Sequence, residues 1–117
     1  MQVEFATLDF ETTGLRAGLD RVLEIGIVRT DADGNLLGEL SSLVNPGRDV
    51  GPTAIHGISA SSVVDAPTFS EILPEVVRLL NGAVLVAHNA KFDVRFLKME
   101  LDRCECGYGE IEPLCTL

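Results

Sequence analysis

The chain has 117 residues, 46% of them hydrophobic, and a formal net charge of −9 at pH 7. No apolar run approaches the roughly 18 residues of a membrane helix and no signal peptide opens the chain, so we expect a soluble cytoplasmic protein. The acidic balance argues against a broad basic surface for nucleic acid, and it fits either a site that reaches phosphates through divalent cations or ordinary surface charge.

Three strands are predicted in the first part of the chain. Period-two alternation or apolar character marks them at residues 3–10, 22–29 and 36–44. Thr12-Thr13-Gly14 ends the first strand in a turn, and the Asp-Gly-Asn composition of residues 31–35 suits a tight hairpin turn. The strands therefore form an antiparallel meander, which a loop at 45–52 and a short helical turn at 53–58 follow.

A helix and a fourth strand are predicted next. The helix begins near Thr68 or Ser70, ends at Asn81-Gly82, and has an apolar stripe of Ile72, Leu73, Val76, Val77 and Leu80. Pro74 lies within it and is compatible only with its first turn or so. Residues 83–87 form an apolar run that is typical of a central parallel strand covered on both faces.

A second helix follows His88-Asn89 and runs to about Arg103, with one apolar stripe formed by Phe96, Leu97 and Leu101. Residues 111–117 have the character of a further element. Strands followed by helix, strand and helix predict an α/β sandwich with a mixed sheet. A domain of this kind normally continues, so we expect residues 1–117 to form one incomplete domain.

Asp9 and Glu11 are the first candidate metal ligands. They lie two residues apart at the end of a strand, so both side chains project from one face and can converge. Two crowded carboxylates repel each other unless a cation lies between them, and Mg²⁺ and Mn²⁺ prefer oxygen ligands. The turn at Thr12-Thr13-Gly14 offers backbone N–H groups near these acids. A solvated strand edge is the alternative interpretation of the pair alone.

Asp93 is the third candidate carboxylate. It shares the apolar stripe of the second helix, so it faces the core or a cleft, where an unpaired charge is unfavourable. Two structural interpretations remain open beside a ligand role. One is an acid of the first helical turn favoured by the helix dipole, and the other is a salt bridge to Lys91, Arg95 or Arg21. Glu24, on the second strand, is expected to support the site rather than act in it.

Four segments of the chain follow one another in a characteristic order. They are Asp9-Phe10-Glu11-Thr12-Thr13-Gly14-Leu15, residues 21–28, residues 54–58 and His88-Asn89-Ala90-Lys91-Phe92-Asp93. Together they resemble the motifs of the DEDDh class of 3′→5′ exonucleases, whose first and second exonuclease motifs correspond to the first and last segments. The resemblance covers nearly the whole chain, and it is strongest to the proofreading epsilon subunits of bacterial DNA polymerase III and their free-standing relatives.

The resemblance implies a ribonuclease H-like mixed sheet with flanking helices and a two-metal-ion active site. Asp9, Glu11 and Asp93 would be catalytic and would hold two Mg²⁺ or Mn²⁺ ions roughly 4 Å apart, with Asp9 bridging both. The substrate would be a single-stranded or frayed 3′ end of DNA or RNA, hydrolysed one terminal phosphodiester at a time. A DNA polymerase is a candidate partner on the same grounds.

Residues around the acids receive substrate-binding roles from the same resemblance. They are Phe10, Thr12, Thr13, Gly14, Leu15, His56, Gly57, His88, Asn89 and Phe92. Stacking and backbone contacts of this kind tolerate any base, which suits removal of whatever nucleotide stands at the end. Core packing remains an alternative for Leu15 and Phe92, and a structural loop role remains one for His56.

The third motif of the class, a histidine followed by an aspartate, has no match after Asp93. The chain has two histidines, His56 and His88, so none remains for the general base of that motif. Either the chain is a fragment of a longer enzyme or the domain is degenerate or shortened. The first is favoured because residues 114–117 resemble the point where the class enters its next helix. We expect this polypeptide alone to be inactive or severely impaired in both cases.

Two other functions remain open from the sequence. A non-catalytic module would use the same groove to bind nucleic-acid ends or a polymerase. A phosphatase with Asp9 as its nucleophile is disfavoured, because that class prefers an aspartate where this chain has Glu11. DNA and RNA substrates are not distinguished, since a reader of the 2′-hydroxyl needs only one or two side chains.

Overall fold

One five-stranded sheet organises the part of the chain that the computed structural model describes, which is residues 3–14, 20–47, 60–104 and 113–115. Its strands are β1 (Glu4–Thr12), β2 (Val22–Asp31), β3 (Leu36–Leu43), β4 (Val84–Ala87) and β5 (Pro113–Cys115). They lie in the order β3-β2-β1-β4-β5. The first three strands pair antiparallel, whereas β4 pairs parallel with both β1 and β5. The predicted meander and parallel strand are confirmed, and β1 is the central strand.

The turn between β2 and β3 is closed by the side chain of Asp31. Its carboxylate accepts hydrogen bonds from the backbone N–H groups of Asp33 and Asn35, each at 2.9 Å. These bonds and one from the Asn35 side chain lower the pKa of Asp31. Gly34 has a φ of 85°, a left-handed conformation that glycine adopts without strain. β2 therefore continues to Asp31, two residues past its predicted end.

Three helices occur within the described ranges: α1 (Ala60–Val63), α2 (Phe69–Leu80) and α3 (Ala90–Arg103). A capping box starts α2, in which the Thr68 hydroxyl accepts from the Glu71 N–H and the Glu71 carboxylate accepts from the Thr68 N–H. The helix ends at its C-cap Asn81. Both predicted ends of this helix are confirmed. The helical turn predicted at 53–58 lies outside the described residues.

Two sequence-based expectations for α2 are wrong in detail. Val77 was expected on the apolar stripe but is 43% exposed, and Leu79 is buried instead with Phe69 and Val76. Pro74 is the sixth helical residue, past the first turn. The hydrogen bond that proline cannot donate would have gone to the Ser70 carbonyl. Both residues are exposed, so water can reach that carbonyl in place of the missing donor, and the helix continues to Leu80.

The core lies on one face of the sheet. Side chains at alternate positions of β1 and β2 pack there against α2 and α3, in a cluster that includes Leu8, Phe10, Ile25, Ile27, Phe69, Val76, Phe96 and Leu97. Leu85 and Ala87 of β4 are buried, but Val84 is 37% exposed. The expectation that β4 is covered on both faces is therefore wrong for the described residues. Its other face belongs to the more open side of the sheet, with Asp9 and Val28.

Arg29 joins the end of α2 to the sheet. Its Nη1 donates to the carbonyls of Leu79 at 3.2 Å and Asn81 at 2.7 Å, while its Nε bonds Glu4 of β1 at 2.9 Å. A guanidinium thus satisfies carbonyls that a helix end leaves without intrahelical partners. The position of α2 relative to β1 and β2 is fixed at this point. No helix in the described ranges is long and apolar enough to cross a membrane.

Candidate active site

Asp9 and Glu11 project from the open face of β1. Their even-numbered neighbours Leu8 and Phe10 are buried in the core, so the alternation of a strand directs both acids to the other face. Asp9 is exposed and Glu11 is half-buried. The predicted common direction of this pair is confirmed.

Glu24 adds a third carboxylate to this face. In the β1–β2 register it lies directly opposite Glu11, while Asp9 lies opposite Gly26. Directly opposed residues of antiparallel strands have Cβ atoms about 5 Å apart, and like charges in that position destabilise the pair. Sequence reasoning gave Glu24 a supporting role, whereas the register puts it face to face with a proposed ligand. Only knowledge of the strand pairing gives this contact.

Asp93 reaches the edge of β1 where β4 has ended. The last pair between these strands is Leu8 with Ala87, so no strand in the described ranges pairs with the backbone at Phe10 on that side. Asp93 lies in the first turn of α3 and is only 3% exposed, and the backbone at Asn89 and Phe10 acts on its carboxylate to lower its pKa. The predicted orientation of Asp93 toward the interior is confirmed. Its neighbour there is the strand that carries Asp9.

The charge of Asp9 acts on Asp93 directly. The pKa of Asp93 is raised from 3.8 to about 6, first by burial and next by the negative charge of Asp9. The backbone at Asn89 and Phe10 and the nearby His88 oppose this rise in pKa only in part. A salt bridge to Arg21, one structural alternative for Asp93, is wrong because Arg21 binds Glu100 instead.

These acids suit a divalent cation that takes only a few of its ligands from the protein. Among the described residues, no three histidine, cysteine, aspartate or glutamate side chains are grouped closely enough to hold an ion by themselves. Magnesium in proteins commonly keeps several waters and takes only one or two carboxylates together with substrate phosphates. Asp9 and Asp93 provide such a pair, and a cation between them would relieve the repulsion that raises the pKa of Asp93. Glu11 is the next acid along β1.

The polar groups of the turn after β1 make more hydrogen bonds within the protein than predicted. The Thr13 N–H donates to the Arg21 carbonyl at 2.8 Å, so it is not directed at the acids. The buried Thr13 hydroxyl donates to Asp20 at 2.9 Å, and the Thr12 hydroxyl donates to the Gly14 carbonyl at 2.6 Å. A Cβ on Gly14 would lie 2.5 Å from the Asp20 carboxylate, so a larger residue here would force the Asp20 side chain to shift. The turn binds β1 to the chain that enters β2.

The predicted substrate-binding residues near the acids in sequence differ in their exposure to solvent. The Phe10 ring is 5% exposed and belongs to the core, so a contact with a nucleotide is limited to its backbone. Phe92 is half-buried and packs on Phe96, with ring centroids 4.8 Å apart. His88 and Asn89 are exposed at the start of α3. Leu15, His56 and Gly57 lie outside the described residues.

A buried acid two turns after Asp93 escaped the sequence reasoning. Glu100 is 1% exposed and pairs with Arg21 and Arg103. It lies seven residues after Asp93, so it belongs to the same helical stripe, and this spacing was the available signal. Its partner Arg21 is 79 positions away in sequence and no local pattern connects the two.

Comparison with a family of known proteins adds a match over nearly the whole chain. Residues 7–113 match the family model RNase_T, described as exonuclease. Exonucleases of this kind use divalent metal ions.

Among curated proteins, the DNA polymerase III subunit epsilon of Treponema pallidum is 44% identical over 105 residues, covering 88% of this chain and 48% of that protein. A PolC-type DNA polymerase III of Thermotoga petrophila is 39% identical over 97 residues, covering 81% of this chain and 7% of that protein. The chain thus spans about half or less of the length of these relatives.

Solved structures share the fold. Exonuclease I bound to the inhibitor BCBP superposes with a TM-score of 0.85 at 19% identity, covering 98% of this chain and 28% of that one. Escherichia coli exonuclease I in complex with a dT13 oligonucleotide gives a TM-score of 0.79 at 21% identity, covering 90% of this chain and 25% of that one. The predicted ribonuclease H-like mixed sheet is confirmed by these neighbours.

Proposed function

This chain belongs to the RNase_T family of exonucleases, and we propose that it carries the acidic half of the active site of a 3′→5′ exonuclease acting on DNA or RNA. The observation that supports the proposal is that the buried Asp93, 84 positions after Asp9 in sequence, has its pKa raised by burial and by the negative charge of Asp9. A buried carboxylate left beside a second acid is unfavourable unless a cation joins them. Such an arrangement supports metal binding rather than a contribution to stability.

Asp9, Glu11 and Asp93 are the proposed ligands for Mg²⁺ or Mn²⁺. When bound, two such ions stabilise the attacking and leaving oxygens of phosphodiester hydrolysis. The backbone at Asn89 and Phe10 favours the ionised form of Asp93, which is the form that binds a cation. Asp9, on the exposed face of β1, remains accessible to a phosphate.

The proposed substrate is a single-stranded or frayed 3′ end. In the described residues, the exposed His88 and Asn89 and the half-buried Phe92 flank the acids at the start of α3. We assign Phe10, Thr12, Thr13, Gly14, Leu15, His56 and Gly57 to the same groove on the strength of their motifs. The solved complex of Escherichia coli exonuclease I with dT13 supports a DNA substrate, and the epsilon and PolC relatives support a polymerase partner.

The 117 residues include no histidine after His88. A general base of the third-motif type is therefore not supplied by this polypeptide. Loss of a general base lowers the rate by a factor of about 10² to 10⁴. We infer that residues 1–117 bind metal but hydrolyse a 3′-labelled strand slowly or not at all.

Calorimetry with Mn²⁺ and a short oligonucleotide tests the proposal. Asp9→Ala is expected to abolish Mn²⁺ binding and, with it, metal-dependent strand binding. Asp33→Ala is the matched control, because Asp33 is an exposed acid in the β2–β3 turn, away from the site. Strand binding that needs no metal and survives Asp9→Ala would instead favour a non-catalytic module for nucleic-acid ends.

A further inference from the structure

A buried ion-pair cluster lies on α3 beyond the active-site acids. Arg21 donates from Nε and Nη2 to the two oxygens of Glu100, at 2.7 and 3.1 Å. Arg103 donates from Nη1 to the same carboxylate at 2.7 Å. Glu100 is 1% exposed, whereas the arginine side chains are 30% and 25% exposed. Two cations thus hold one buried acid in a directional, partly two-pronged geometry.

The cluster continues into the end of β1. The backbone N–H of Arg21 donates to the Thr13 hydroxyl at 3.0 Å, and the Thr13 N–H donates back to the Arg21 carbonyl at 2.8 Å. Arg103 also donates to the Asp20 carbonyl at 3.3 Å, and Asp20 accepts from the Thr13 hydroxyl. A continuous polar chain therefore runs from Glu100 on α3 to Thr13, directly after β1.

The cluster and the acids lie on the same two elements. Glu100 is seven residues after Asp93, which is about two helical turns or roughly 10 Å along α3, on the same stripe. Thr13 is four residues after Asp9, roughly 13 Å along an extended chain. The ion pairs thus join the carboxyl end of α3 to the chain just after β1, whereas Asp93 lies in the first turn of α3 and Asp9 lies on β1 itself.

We propose that the cluster of Arg21, Glu100 and Arg103 positions α3 so that Asp93 stands beside Asp9 in a geometry that binds a divalent cation. Buried ion pairs are often no more stabilising than apolar residues of similar size, so stability alone is a weak reason for this one. Their hydrogen bonds are directional, however, and fix the rotation and height of a helix more tightly than apolar contacts do. This positioning role rests on the proposed function of the acids.

Replacing the ion pair by apolar side chains separates positioning from stability. The double variant Arg21→Met with Glu100→Met keeps volume in the interior and leaves Arg103, 25% exposed, its bond to the Asp20 carbonyl, so its thermal unfolding midpoint is expected to stay near that of the native chain. Its Mn²⁺ affinity, measured by calorimetry, is expected to fall about tenfold or more, as on loss of groups that orient metal ligands. Glu75→Met with Arg78→Met removes an exposed ion pair of α2 and should leave both quantities unchanged.

The measurements give a definite outcome in each case. Native Mn²⁺ affinity in a folded Arg21→Met, Glu100→Met variant overturns the positioning role. If that variant fails to fold, Arg21→Lys decides, because lysine keeps the charge and loses the two-pronged contact. Weakened Mn²⁺ binding with an unchanged circular dichroism spectrum supports the role, and native binding overturns it. Undiminished Mn²⁺ binding by Asp9→Ala would defeat the proposed function itself, irrespective of the cluster.

Discussion

The two ends of α3 each bury one carboxylate, and they treat it in opposite ways. Glu100, near the carboxyl end, accepts three hydrogen bonds from two arginines. Asp93, in the first turn, is nearly as buried but faces the negative charge of Asp9 and has only backbone donors and a nearby histidine to offset it. A single helix therefore contains a neutralised acid and one whose pKa is raised to about 6.

The difference separates a structural acid, Glu100, from an acid of the proposed active site, Asp93. A buried charge that its own chain neutralises contributes to one defined packing of the helix. A buried charge left beside a like charge is unfavourable in the isolated chain and becomes favourable only when a cation arrives. Removing each carboxylate in turn should therefore change stability in opposite directions.

The largest effect is expected for Glu100→Ala. This change leaves Arg21 and Arg103 without their acceptor in a partly buried location, and removing one partner of such a pair costs about 3 kcal/mol. The free energy of unfolding from urea titration measures the loss. An unchanged urea midpoint would mean that Glu100 is not the neutralised acid we describe.

Asp93→Asn should act in the opposite direction on stability. At pH 7 the amide removes a buried charge that is repelled by Asp9, so the free energy of unfolding should increase by about 1 kcal/mol. The same variant should lose most of its Mn²⁺ affinity, because a neutral amide is a weaker ligand for a hard cation. A less stable Asp93→Asn chain at pH 7 would contradict the contrast between the two acids.

The pH dependence of that stabilisation sharpens the contrast. Because the pKa of Asp93 is about 6 in the fold and 3.8 as its ordinary value, the folded chain holds the proton more tightly. The stability from protonated Asp93 is fully present below about pH 3.8 and is lost as pH rises through 6. The advantage of Asp93→Asn over the native chain should thus be present at pH 7 and absent at pH 4, as unfolding titrations at both pH values will test.

A smaller shift is expected from Asp9→Asn. Burial is the larger cause of the raised pKa of Asp93 and the charge of Asp9 is the second. Carbon-13 NMR titration of Asp93 in this variant should therefore give a pKa below 6 that is still above 3.8. If the pKa of Asp93 were unchanged in this variant, Asp9 would lie too far from Asp93 for its charge to act on it.

The smallest effect is expected at Glu75 on α2. Its ion pair with Arg78, at 2.8 Å, is exposed on both sides, and such pairs contribute little because water screens them. Glu75→Ala should leave the urea midpoint within error of the native value. If Glu75→Ala lowered the urea midpoint as much as Glu100→Ala, burial of the carboxylate would not explain the effect of Glu100→Ala.

The elements of this fold were predictable where the signal is local. Alternation in β1, the Asp31–Asn35 turn and the start of α2 at Thr68 each depend on a few neighbouring residues, and each is found as predicted. The inward direction of Asp93 followed from its helical stripe. Periodicity and capping depend on residues close together in sequence, so they can be recognised without the tertiary structure.

Features that depend on contacts between distant segments were missed. The pairing of Arg21 with Glu100 and the opposition of Glu11 to Glu24 require the sheet register and the docking of α3. The exposure of Val77 depends on which face of α2 meets the sheet, which a broad apolar stripe leaves undecided. The Thr13 N–H was expected near the acids, but its acceptor is the Arg21 carbonyl, eight residues later and just before β2, which only the pairing of β1 with β2 reveals.

Arg29 has a consequence for the alignment of β4. It anchors the carbonyls of Leu79 and Asn81, just before β4 begins, and is itself tied to Glu4. Slippage of β4 along β1 by one residue would turn its buried side chains outward and carry the start of α3 about 3 Å along the sheet. Arg29 therefore helps to keep β4 in register with β1, and with it the amino end of α3 beside the edge of β1 near Phe10.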